Sequence, residues 1–475
     1  AHDEERETIA AAGRREVLAK HTYRHRMERI LHSLISRLST RADTLASPCK
    51  VKQYFEWERP DILEMIPVTA RSVADLGCGG GRLGQSIRAK LGAVVWGVER
   101  DVQAACRAAQ RLDHVIRGDL DSDTWSLPDG KMDVVICADI LEHLRRPARL
   151  LHKAAKMLAR DGCLIASIPN LQHHSVVAGL LDGNFTYEPA GLLDEDHLRL
   201  FTRREIDKLF YRSGFHITEW RVVPGSGYAQ WVSAGRKGEV RVGGLQISGL
   251  TPERAEEFFA YQFLVRAVPV PQADLGLTSI ILVTYNQLQY TQMCVESLRF
   301  RTDEPFELIV VDNGSTDGTV DYFRNQPDVT LIANPDNRGF PKAVNQGIAV
   351  ATGRQILLLN NDTIVSTGWL RRMLESLASD PKIGLVGPVS NSVSGPQEIE
   401  VSYQDLASMD GFAWDHGRRF ARQRIDLDRL VGFCLLIRRD VIDKIGTFDE
   451  QFGIGNFEDD DYCRRAKNAG FRNVV

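Results

Sequence analysis

The sequence has no Cys-x-x-Cys pair, no long apolar run and no excess of one charge sign. Its eight cysteines stand singly, which excludes the usual zinc-ligand spacings and favours a reduced, cytosolic protein. No stretch approaches the ~18 apolar residues of a transmembrane helix. With 59 basic and 63 acidic residues, the net charge of -4 gives no general attraction to nucleic acid. We therefore expect a cytoplasmic protein that recognises small substrates through local groups and binds no nucleic acid.

What the chain does have is apolar material for packed cores, since 43% of its residues are hydrophobic. Short apolar runs typical of strands alternate with helical stretches, which predicts α/β domains with parallel sheets. The alternation stops at a Pro- and Gly-containing linker and then restarts. The resulting division is a helical segment over 1–45, a first α/β domain over 46–270, a linker over 271–277 and a second α/β domain over 278–475.

A glycine-rich turn headed by an acid follows the first strand of the first domain. Its members are Asp75, Gly77, Gly79 and Gly81. Such a turn lets the backbone approach a ligand without a Cβ clash. Glu99 ends the next strand, where an acid suits a ribose hydroxyl, and Asp119 follows the third strand, beside an adenine edge. The glycines also fit a dinucleotide pattern, but the Asp75 carboxylate would repel a pyrophosphate and attract the ammonium of a methionine group.

Further motifs strengthen this interpretation. They are Asp139–Leu144, Ser167–Asn170, His197–Thr202 and the Ser213–Phe215 turn. The whole set resembles class I S-adenosylmethionine-dependent methyltransferases. The resemblance implies a Rossmann-like fold, S-adenosylmethionine as cofactor, Asp139 among the cofactor-binding residues, and methyl transfer by in-line displacement. A hydroxyl acceptor needs a base, for which His143 and His197 are candidates; the alternative is that both histidines only line the pocket or pack in the core.

Polar residues also follow the strands of the second α/β domain. They are Thr284, Tyr285, Asn286, Asp312, Asn337, Gly339, Asn345, Asn361 and Asp362. A carboxylate at the end of an apolar strand, facing a phosphate-rich ligand, predicts a hard divalent cation. Further along, an acidic run covers Glu458–Asp461. Taken alone, that run is typical of an ordinary helix start, because acids favour a helix N-terminus.

This ordered set resembles inverting family 2 glycosyltransferases of the GT-A fold. The resemblance implies that Asp362 binds Mg²⁺ or Mn²⁺ and that the other residues of the set hold a nucleotide-sugar donor. Asp459 matches the catalytic base of the family, and Asp461 is the second candidate. Family members continue beyond the acidic motif, so we expect the glycosyltransferase domain to be cut short at Val475. The segment over 1–45 is similar to the end of another glycosyltransferase domain, which we expect to lie upstream.

These resemblances together predict a bifunctional enzyme of bacterial O-antigen or S-layer glycan synthesis. One domain would transfer a sugar with inversion, and the other would methylate a sugar hydroxyl. The expected partners are a nucleotide-sugar donor and a glycan or lipid-linked oligosaccharide acceptor, through which the protein would associate with the inner face of the membrane. The Asn360-Asn361-Asp362 triplet is similar to that of rhamnosyltransferases. The alternative is that only one domain is catalytic and the other is a glycan- or nucleotide-binding scaffold.

Overall fold

The computed structural model describes residues 58–270 and 274–475. The helical segment predicted over 1–45 and the start of the predicted linker lie outside these residues. The chain forms two compact units, one that ends at Trp125 and one that covers Ser126–Val475. The domain boundaries expected from the sequence stay a prediction.

The first unit contains three parallel strands in the order β3-β2-β1, paired along their whole length. The strands are β1 (Ser72–Leu76), β2 (Val94–Glu99) and β3 (His114–Arg117), and the helices are α1 (Pro60–Leu63), α2 (Arg82–Leu91) and α3 (Val102–Ala108). The carboxylate of Asp101 caps α3 by accepting a hydrogen bond from the Ala104 amide. Because parallel strands end at one edge, the turn after β1 and the acid that ends β2 are neighbours.

The second unit begins with a mixed sheet in the order β4-β5-β9-β6. Its strands are β4 (Met132–Ala138), β5 (Leu158–Pro169), β6 (Phe215–Pro224), the hairpin β7 (Val240–Val242) and β8 (Leu245–Ile247), and β9 (Ala260–Pro269). Its helices are α4 (Pro147–Met157), α5 (His174–Leu181), α6 (Arg203–Arg212), α7 (Tyr228–Ser233) and α8 (Pro252–Glu256). β4 and β5 are parallel, but β9 is antiparallel to both β5 and β6. The expectation of a parallel sheet is wrong for β9. The residues between β6 and β9 bring the chain back to the end of the sheet at which β6 stops, so β9 runs in the opposite direction.

The remainder of this unit is a seven-stranded sheet in the order β12-β11-β10-β13-β15-β14-β16. Its strands are β10 (Thr278–Thr284), β11 (Phe306–Asp312), β12 (Val329–Ala333), β13 (Gln355–Asn360), β14 (Ile383–Val386), β15 (Cys434–Arg438) and β16 (Arg472–Val474). Its helices are α9 (Leu288–Arg301), α10 (Thr319–Arg324), α11 (Phe340–Val350), α12 (Trp369–Ala378), α13 (Leu406–Arg419), α14 (Arg439–Ile445) and α15 (Glu458–Asn468). β15 alone among these strands is antiparallel to its neighbours, β13 and β14.

The strands of this larger sheet are buried on both faces. Along β10, Ile280 and Leu282 belong to one apolar core, whereas Ile281 belongs to the core on the opposite face. This alternation follows from the two-residue period of a strand, and helices on both faces explain why the strand sequences are continuous apolar runs. The polar residues at the strand ends are therefore held on a rigid support.

Helix α6 packs against α13 through charged and aromatic side chains within the second unit. Lys208 Nζ donates to Asp410 Oδ2 at 2.7 Å, and the Lys208 side chain is only 9% exposed. The guanidinium of Arg418 lies 2.7 Å from Asp207 Oδ1. The Trp414 indole N–H also donates to Asp207. These contacts join the mixed sheet to the seven-stranded sheet. Among the described helices, none has both the length and the hydropathy needed to cross a membrane.

Candidate active sites

The glycine-rich turn of the first unit depends on backbone conformations that favour glycine. Gly77, Gly79 and Gly81 have φ angles of 79°, 51° and 80°. A Cβ at Gly81 would lie 2.9 Å from Ala108 Cα, closer than real side chains approach. The turn therefore needs glycine for its shape.

Glu99 fastens this turn to the neighbouring strand. One of its oxygens accepts a hydrogen bond from Gly79 N at 2.9 Å, and the other accepts from Asp101 N at 2.8 Å. Its side chain is 8% exposed. Asp119, by contrast, is exposed, and its Oδ1 accepts from Asp121 N at 3.0 Å. The structure thus places Glu99 beside the glycine turn and gives it a structural role, while the cofactor contacts of Glu99 and Asp119 stay predictions.

Asp75 lies at the base of the turn and is almost fully buried, with 2% of its surface exposed. Burial, together with the nearby Glu99 carboxylate, raises the pKa of Asp75 to about 7. A buried carboxyl in this state is stabilised as a carboxylate when a cation comes into contact with it. The position therefore suits the positively charged amino acid portion of S-adenosylmethionine.

Asp139 belongs to the second unit and follows β4. It is one of few residues other than glycine with a left-handed backbone, with φ 52°. Its Oδ1 accepts hydrogen bonds from Ser167 Oγ at 2.8 Å and Gln262 Nε2 at 2.9 Å. Two strands thus fix this carboxylate in place. Gln262 could not be found from local sequence patterns, because its contact with Asp139 depends on the pairing of β5 with β9.

His143 and His197 are brought together by the fold, although they lie far apart in sequence. Their rings make an edge contact with centroids 4.8 Å apart. His143 is half-buried at the end of a short 3₁₀ helix, Leu141–His143, and His197 is buried. The backbone N–H of Leu198 donates to the carbonyl of Glu142 at 2.8 Å and holds the two segments together. Their predicted role as bases stays a prediction.

His173 is a candidate that the sequence interpretation missed. It is 2% exposed, its Nδ1 lies 2.7 Å from Ser175 Oγ, and its buried Nε2 has no hydrogen-bond partner among the described residues. Burial lowers the pKa of His173 to about 4, so the ring is neutral near pH 7 and is a weak base. Its position just after the Ser167–Asn170 strand end was the available signal.

In the seven-stranded sheet, Asp312 organises the strand-end turn. Thr284 Oγ1 donates to Asp312 Oδ2 at 2.9 Å, while Gly314 N and Ser315 N donate to its Oδ1 at 3.0 and 2.8 Å. Asp312 is fully buried. Its predicted contact with a nucleotide is untested and stays a prediction, while its hydrogen bonds to the turn are structural.

The loops that carry Tyr285 and Asn286 present polar groups beside this turn. Tyr285 is 52% exposed. Asn286 N donates to Ser315 Oγ at 2.7 Å, and Asn286 Oδ1 accepts from Thr316 N at 2.9 Å. These hydrogen bonds couple the end of β10 to the loop after β11. The exposed Tyr285 ring is thereby available to stack on a planar base.

Gly339 and Asn345 position a loop from much later in the chain. A Cβ at Gly339 would overlap the carbonyl oxygen of Gly453. The Asn345 side chain donates to Phe448 O at 2.9 Å and accepts from Phe448 N at 3.0 Å. Asn337 Oδ1 accepts from Gly339 N at 2.9 Å and shapes the same turn. These predicted donor-binding residues therefore hold the loop that leads to the acidic helix, a link that local sequence patterns do not reveal.

Asp362 is the group best placed to hold a cation. It is exposed after the end of β13, and within the described chain no protein group forms a hydrogen bond or ion pair with its carboxylate. Oxygen ligands of this kind suit Mg²⁺ or Mn²⁺. Asn361, beside it, donates to Thr291 Oγ1 at 2.9 Å and so fixes the strand end. The residues present therefore fit a divalent ion.

The acidic helix α15 approaches the same strand end through one short segment. Asp459 Oδ2 accepts a hydrogen bond from Gly432 N at 2.8 Å, and Phe433 O accepts from Asn360 N at 2.8 Å. The Gly432–Phe433 segment thus connects the start of α15 with the Asn360-Asn361-Asp362 triplet. Asp459 and Asp362, predicted from separate motifs, belong to one region.

The four acids of α15 have different surroundings. Asp461 Oδ2 accepts from Arg465 Nε at 2.7 Å, one turn along the helix. Asp460 is paired with Arg429. Glu458 is 8% exposed, and burial, with the Asp459 charge, raises its pKa. The role of base for Asp459 and the alternative of Asp461 stay predictions, but only Asp461 is engaged by an arginine that also supports neighbouring carbonyls.

Three family models match the sequence. The model described as "Glycosyl transferase family 2" matches residues 279–446. The model described as "Methyltransferase domain" matches residues 23–219. A third, described as "Glycosyl transferase-like", matches residues 1–32, which lie outside the described structure. The first two matches cover the strand-end residues of both regions, whereas the acidic run Glu458–Asp461 lies beyond residue 446, where the glycosyltransferase match ends.

Curated relatives and solved structures match parts of the chain. An uncharacterized protein y4gI of Sinorhizobium fredii is 28% identical over 43% of this chain, which spans only 24% of that protein's length. The N-acetylglucosaminyl-diphospho-decaprenol L-rhamnosyltransferase of Mycobacterium tuberculosis is 26% identical over 41% of this chain and 72% of its own. The S-adenosylmethionine-dependent methyltransferase structure from Mesorhizobium loti has 21% identity, covers 44% of this chain and 96% of its own, and has a TM-score of 0.30. One chain therefore matches a methyltransferase model and a family 2 glycosyltransferase model in two separate regions.

Proposed function

We propose that this protein is a bifunctional enzyme of glycan assembly that transfers a sugar from a nucleotide donor and methylates a sugar hydroxyl. The observation that carries the proposal is the presence of two family domains, each with its own set of polar strand-end residues, on one chain. Both activities would use the hydroxyl groups of one glycan. Covalent linkage raises the effective concentration of the second site around the product of the first.

For glycosyl transfer, Asp459 is the proposed base. It would remove the proton of the acceptor hydroxyl as the oxygen attacks the anomeric carbon from the face opposite the diphosphate, which inverts the configuration. Its hydrogen bond from Gly432 N fixes the carboxylate at the start of α15. Tyr285 and the loops around Asp312 would hold the nucleotide. A divalent ion held by Asp362 would supply charge stabilisation to the departing diphosphate.

For methyl transfer, the glycine turn and Glu99 would hold S-adenosylmethionine, and Asp75 would face its ammonium group. The bound cofactor supplies an electrophilic methyl group. The chain's contribution is to align the acceptor and exclude water. A histidine would take the acceptor proton, for which His143 and His197 are the candidates.

The setting that we propose is bacterial O-antigen or S-layer glycan synthesis. The Mycobacterium tuberculosis relative is named a rhamnosyltransferase that acts on a decaprenol-linked sugar, which supports a lipid-linked glycan acceptor. A nucleotide-linked deoxysugar is therefore the first donor to test. A lipid-linked acceptor would bring the protein to the inner face of the membrane. Both donors that the proposal requires, a nucleotide sugar and S-adenosylmethionine, are cytoplasmic metabolites.

The experiment is a donor screen on the whole chain, read by mass spectrometry. Each nucleotide sugar is offered with S-adenosylmethionine and a panel of glycan acceptors, with and without Mn²⁺. We expect product masses that increase by one sugar and by one methyl group. Asp362→Asn should remove only the sugar addition, Asp75→Ala only the methyl addition, and the exposed Asp321→Asn neither. A chain that gives one mass increase under all conditions would show that the other domain acts only as a scaffold.

A further inference from the structure

A second cluster of metal-ligating groups lies in the methyltransferase part of the second unit, away from Asp362 in sequence. Glu142, His143 and His197 each offer one ligand atom, and these atoms all lie within 4.8 Å of one another. Two of the residues leave the end of β4 through the short 3₁₀ helix, and the third comes from the segment before α6. These three side chains belong neither to the glycine turn nor to the metal site proposed at Asp362.

The hydrogen bonds of the two imidazole rings identify which nitrogen each ring offers. His143 Nδ1 lies 3.1 Å from the carbonyl oxygen of Asp196, and His197 Nδ1 lies 3.2 Å from that of Leu192. A carbonyl oxygen only accepts hydrogen bonds, so each Nδ1 carries the proton. In a neutral ring, Nε2 then holds the lone pair. A backbone carbonyl that binds Nδ1–H and fixes Nε2 for coordination is the usual support of a metal-bound histidine.

The backbone holds the three residues together without a ligand. The N–H groups of Leu198 and Arg199 both donate to the carbonyl of Glu142, at 2.8 and 2.9 Å. His197 N in turn donates to Asp194 O at 3.0 Å. The residue after His197 is thus tied directly to Glu142. A site whose ligands are fixed in this way loses little conformational entropy on binding.

The ligand types select the kind of ion. Two imidazole nitrogens and one carboxylate suit first-row transition metals, whereas Mg²⁺ and Ca²⁺ prefer oxygen ligands. The Glu142 side chain is 1% exposed, and a carboxylate removed from water is stabilised by a cation in contact with it. Three protein ligands leave coordination positions for water or for a substrate oxygen.

We propose that Glu142, His143 and His197 bind one divalent transition metal ion, such as Mn²⁺, Co²⁺ or Zn²⁺. Its open positions would accept a hydroxyl oxygen of the methyl acceptor, a statement that rests on the proposed methyltransferase function. In this arrangement the two histidines are ligands and not free bases.

The test measures binding of Co²⁺ alone to the whole chain, without cofactor or acceptor. Asp362→Asn is used as the background, so that the glycosyltransferase metal site does not contribute. We expect one Co²⁺ per chain, with the visible absorption of a nitrogen- and oxygen-ligated ion. Adding Glu142→Gln or His197→Gln should weaken binding at least tenfold. His216→Gln, at an exposed histidine of the same unit, should leave binding unchanged.

Two outcomes would overturn the proposal. One is Co²⁺ binding weaker than about 1 mM in the Asp362→Asn background. The other is equal binding in the Glu142→Gln and His216→Gln chains. If Glu142→Gln fails to fold by circular dichroism, the half-buried His143→Gln takes its place. Methyl transfer is measured separately: a chain that binds Co²⁺ through these residues but transfers no methyl group contradicts the proposed function and leaves the metal site standing.

Discussion

The hydroxyl of Thr284 donates a hydrogen bond of 2.9 Å to the fully buried carboxylate of Asp312. The two residues end neighbouring parallel strands and are paired in register. The same carboxylate receives two backbone N–H groups of the following turn. One buried acid therefore determines the shape of the loop beside the proposed nucleotide site.

Thr284→Val should destabilise the glycosyltransferase part by about 1.5–3 kcal/mol, because a hydrogen bond to a buried charged acceptor is lost while the shape of the side chain is kept. Urea unfolding measures this change. Thr330→Val, at an exposed position of β12, is the matched control and should change the free energy of unfolding by less than about 0.5 kcal/mol. Equal midpoints for the two variants would contradict the structural role of the Thr284 hydroxyl.

Gly339→Ala should disturb the loop near Gly453 far more than a positive φ angle alone explains. The new methyl group would overlap the Gly453 carbonyl oxygen, whereas at Gly470, with φ 91° against 84° at Gly339, a Cβ meets nothing within 4 Å. Gly339 also has ψ 161°, a backbone region that glycine almost alone populates, so this strain adds to the steric contact in Gly339→Ala. Hydrogen exchange of residues 450–457 should increase in Gly339→Ala and stay unchanged in Gly470→Ala.

The pKa of Asp75, raised by burial to about 7, gives a stability that depends on pH. The unfolded carboxyl has its ordinary value of 3.8, so the folded state binds the proton more tightly. Its favourable contribution is therefore complete below about pH 4 and is lost as the pH rises through 7. Asp75→Asn should remove this loss, with a gain on the order of 4 kcal/mol above pH 7 and little change near pH 4.

Thermal denaturation of wild type and Asp75→Asn between pH 4 and 8 checks this expectation. Asp129→Asn, at an exposed position, is the control and should follow the wild type at every pH. If S-adenosylmethionine places its ammonium beside Asp75, binding at pH 7 should also release a proton, which calorimetry in buffers of different ionisation enthalpy detects. A difference in thermal midpoint between Asp75→Asn and wild type that stays constant from pH 4 to 8 would contradict the raised pKa of Asp75.

Lys208→Met should destabilise the contact between α6 and α13 by about 1.5–3 kcal/mol, because the Asp410 carboxylate loses its charged hydrogen-bond donor at 2.7 Å and keeps, among the described residues, only the cation of Arg301 at 3.8 Å. Burial opposes ionisation of Asp410, but hydrogen bonds from Lys208 and Thr367 outweigh it and lower its pKa. The stabilisation is therefore present above pH 4 and is lost as the pH falls through that lowered value. Arg324→Met, which breaks the exposed pair with Asp321, should cost less than about 1 kcal/mol.

The alternation of strands and helices could be predicted from the sequence because it depends on local apolar periodicity. The alternation is found, for example, where the strand Thr278–Thr284 is followed by the helix Leu288–Arg301. The antiparallel strands β9 and β15 could not be predicted, since their direction depends on how distant segments return to the sheet. The burial of Lys208 also could not be predicted from local patterns, because its partner Asp410 lies 202 residues away.

The candidate sites were predictable where several motifs follow one another at strand ends. The roles of individual residues were harder to predict than the positions of the sites. The donor-binding role of Asn345 stays a prediction, and its amide also holds the backbone of Phe448, a contact between residues 103 positions apart. His173 was missed because its burial and the lowered pKa depend on packing that the sequence does not display.

The two acids proposed as base in α15 should respond differently to substitution. Asp459 is oriented by the Gly432 N–H, and no arginine of the described residues forms an ion pair with it. Asp461 is paired with Arg465. The guanidinium of Arg465 also donates to the carbonyls of Ile445 and Thr447. Asp459→Asn should lower kcat for sugar transfer by about 10²–10⁴-fold with little change in nucleotide-sugar affinity, because an amide keeps the shape but cannot accept the proton. Asp461→Asn should instead lower the thermal midpoint with kcat nearly unchanged. Steady-state kinetics on a chain with measurable sugar transfer, together with thermal denaturation of both variants, decides the assignment; a large kcat loss in Asp461→Asn alone would transfer the role of base to Asp461.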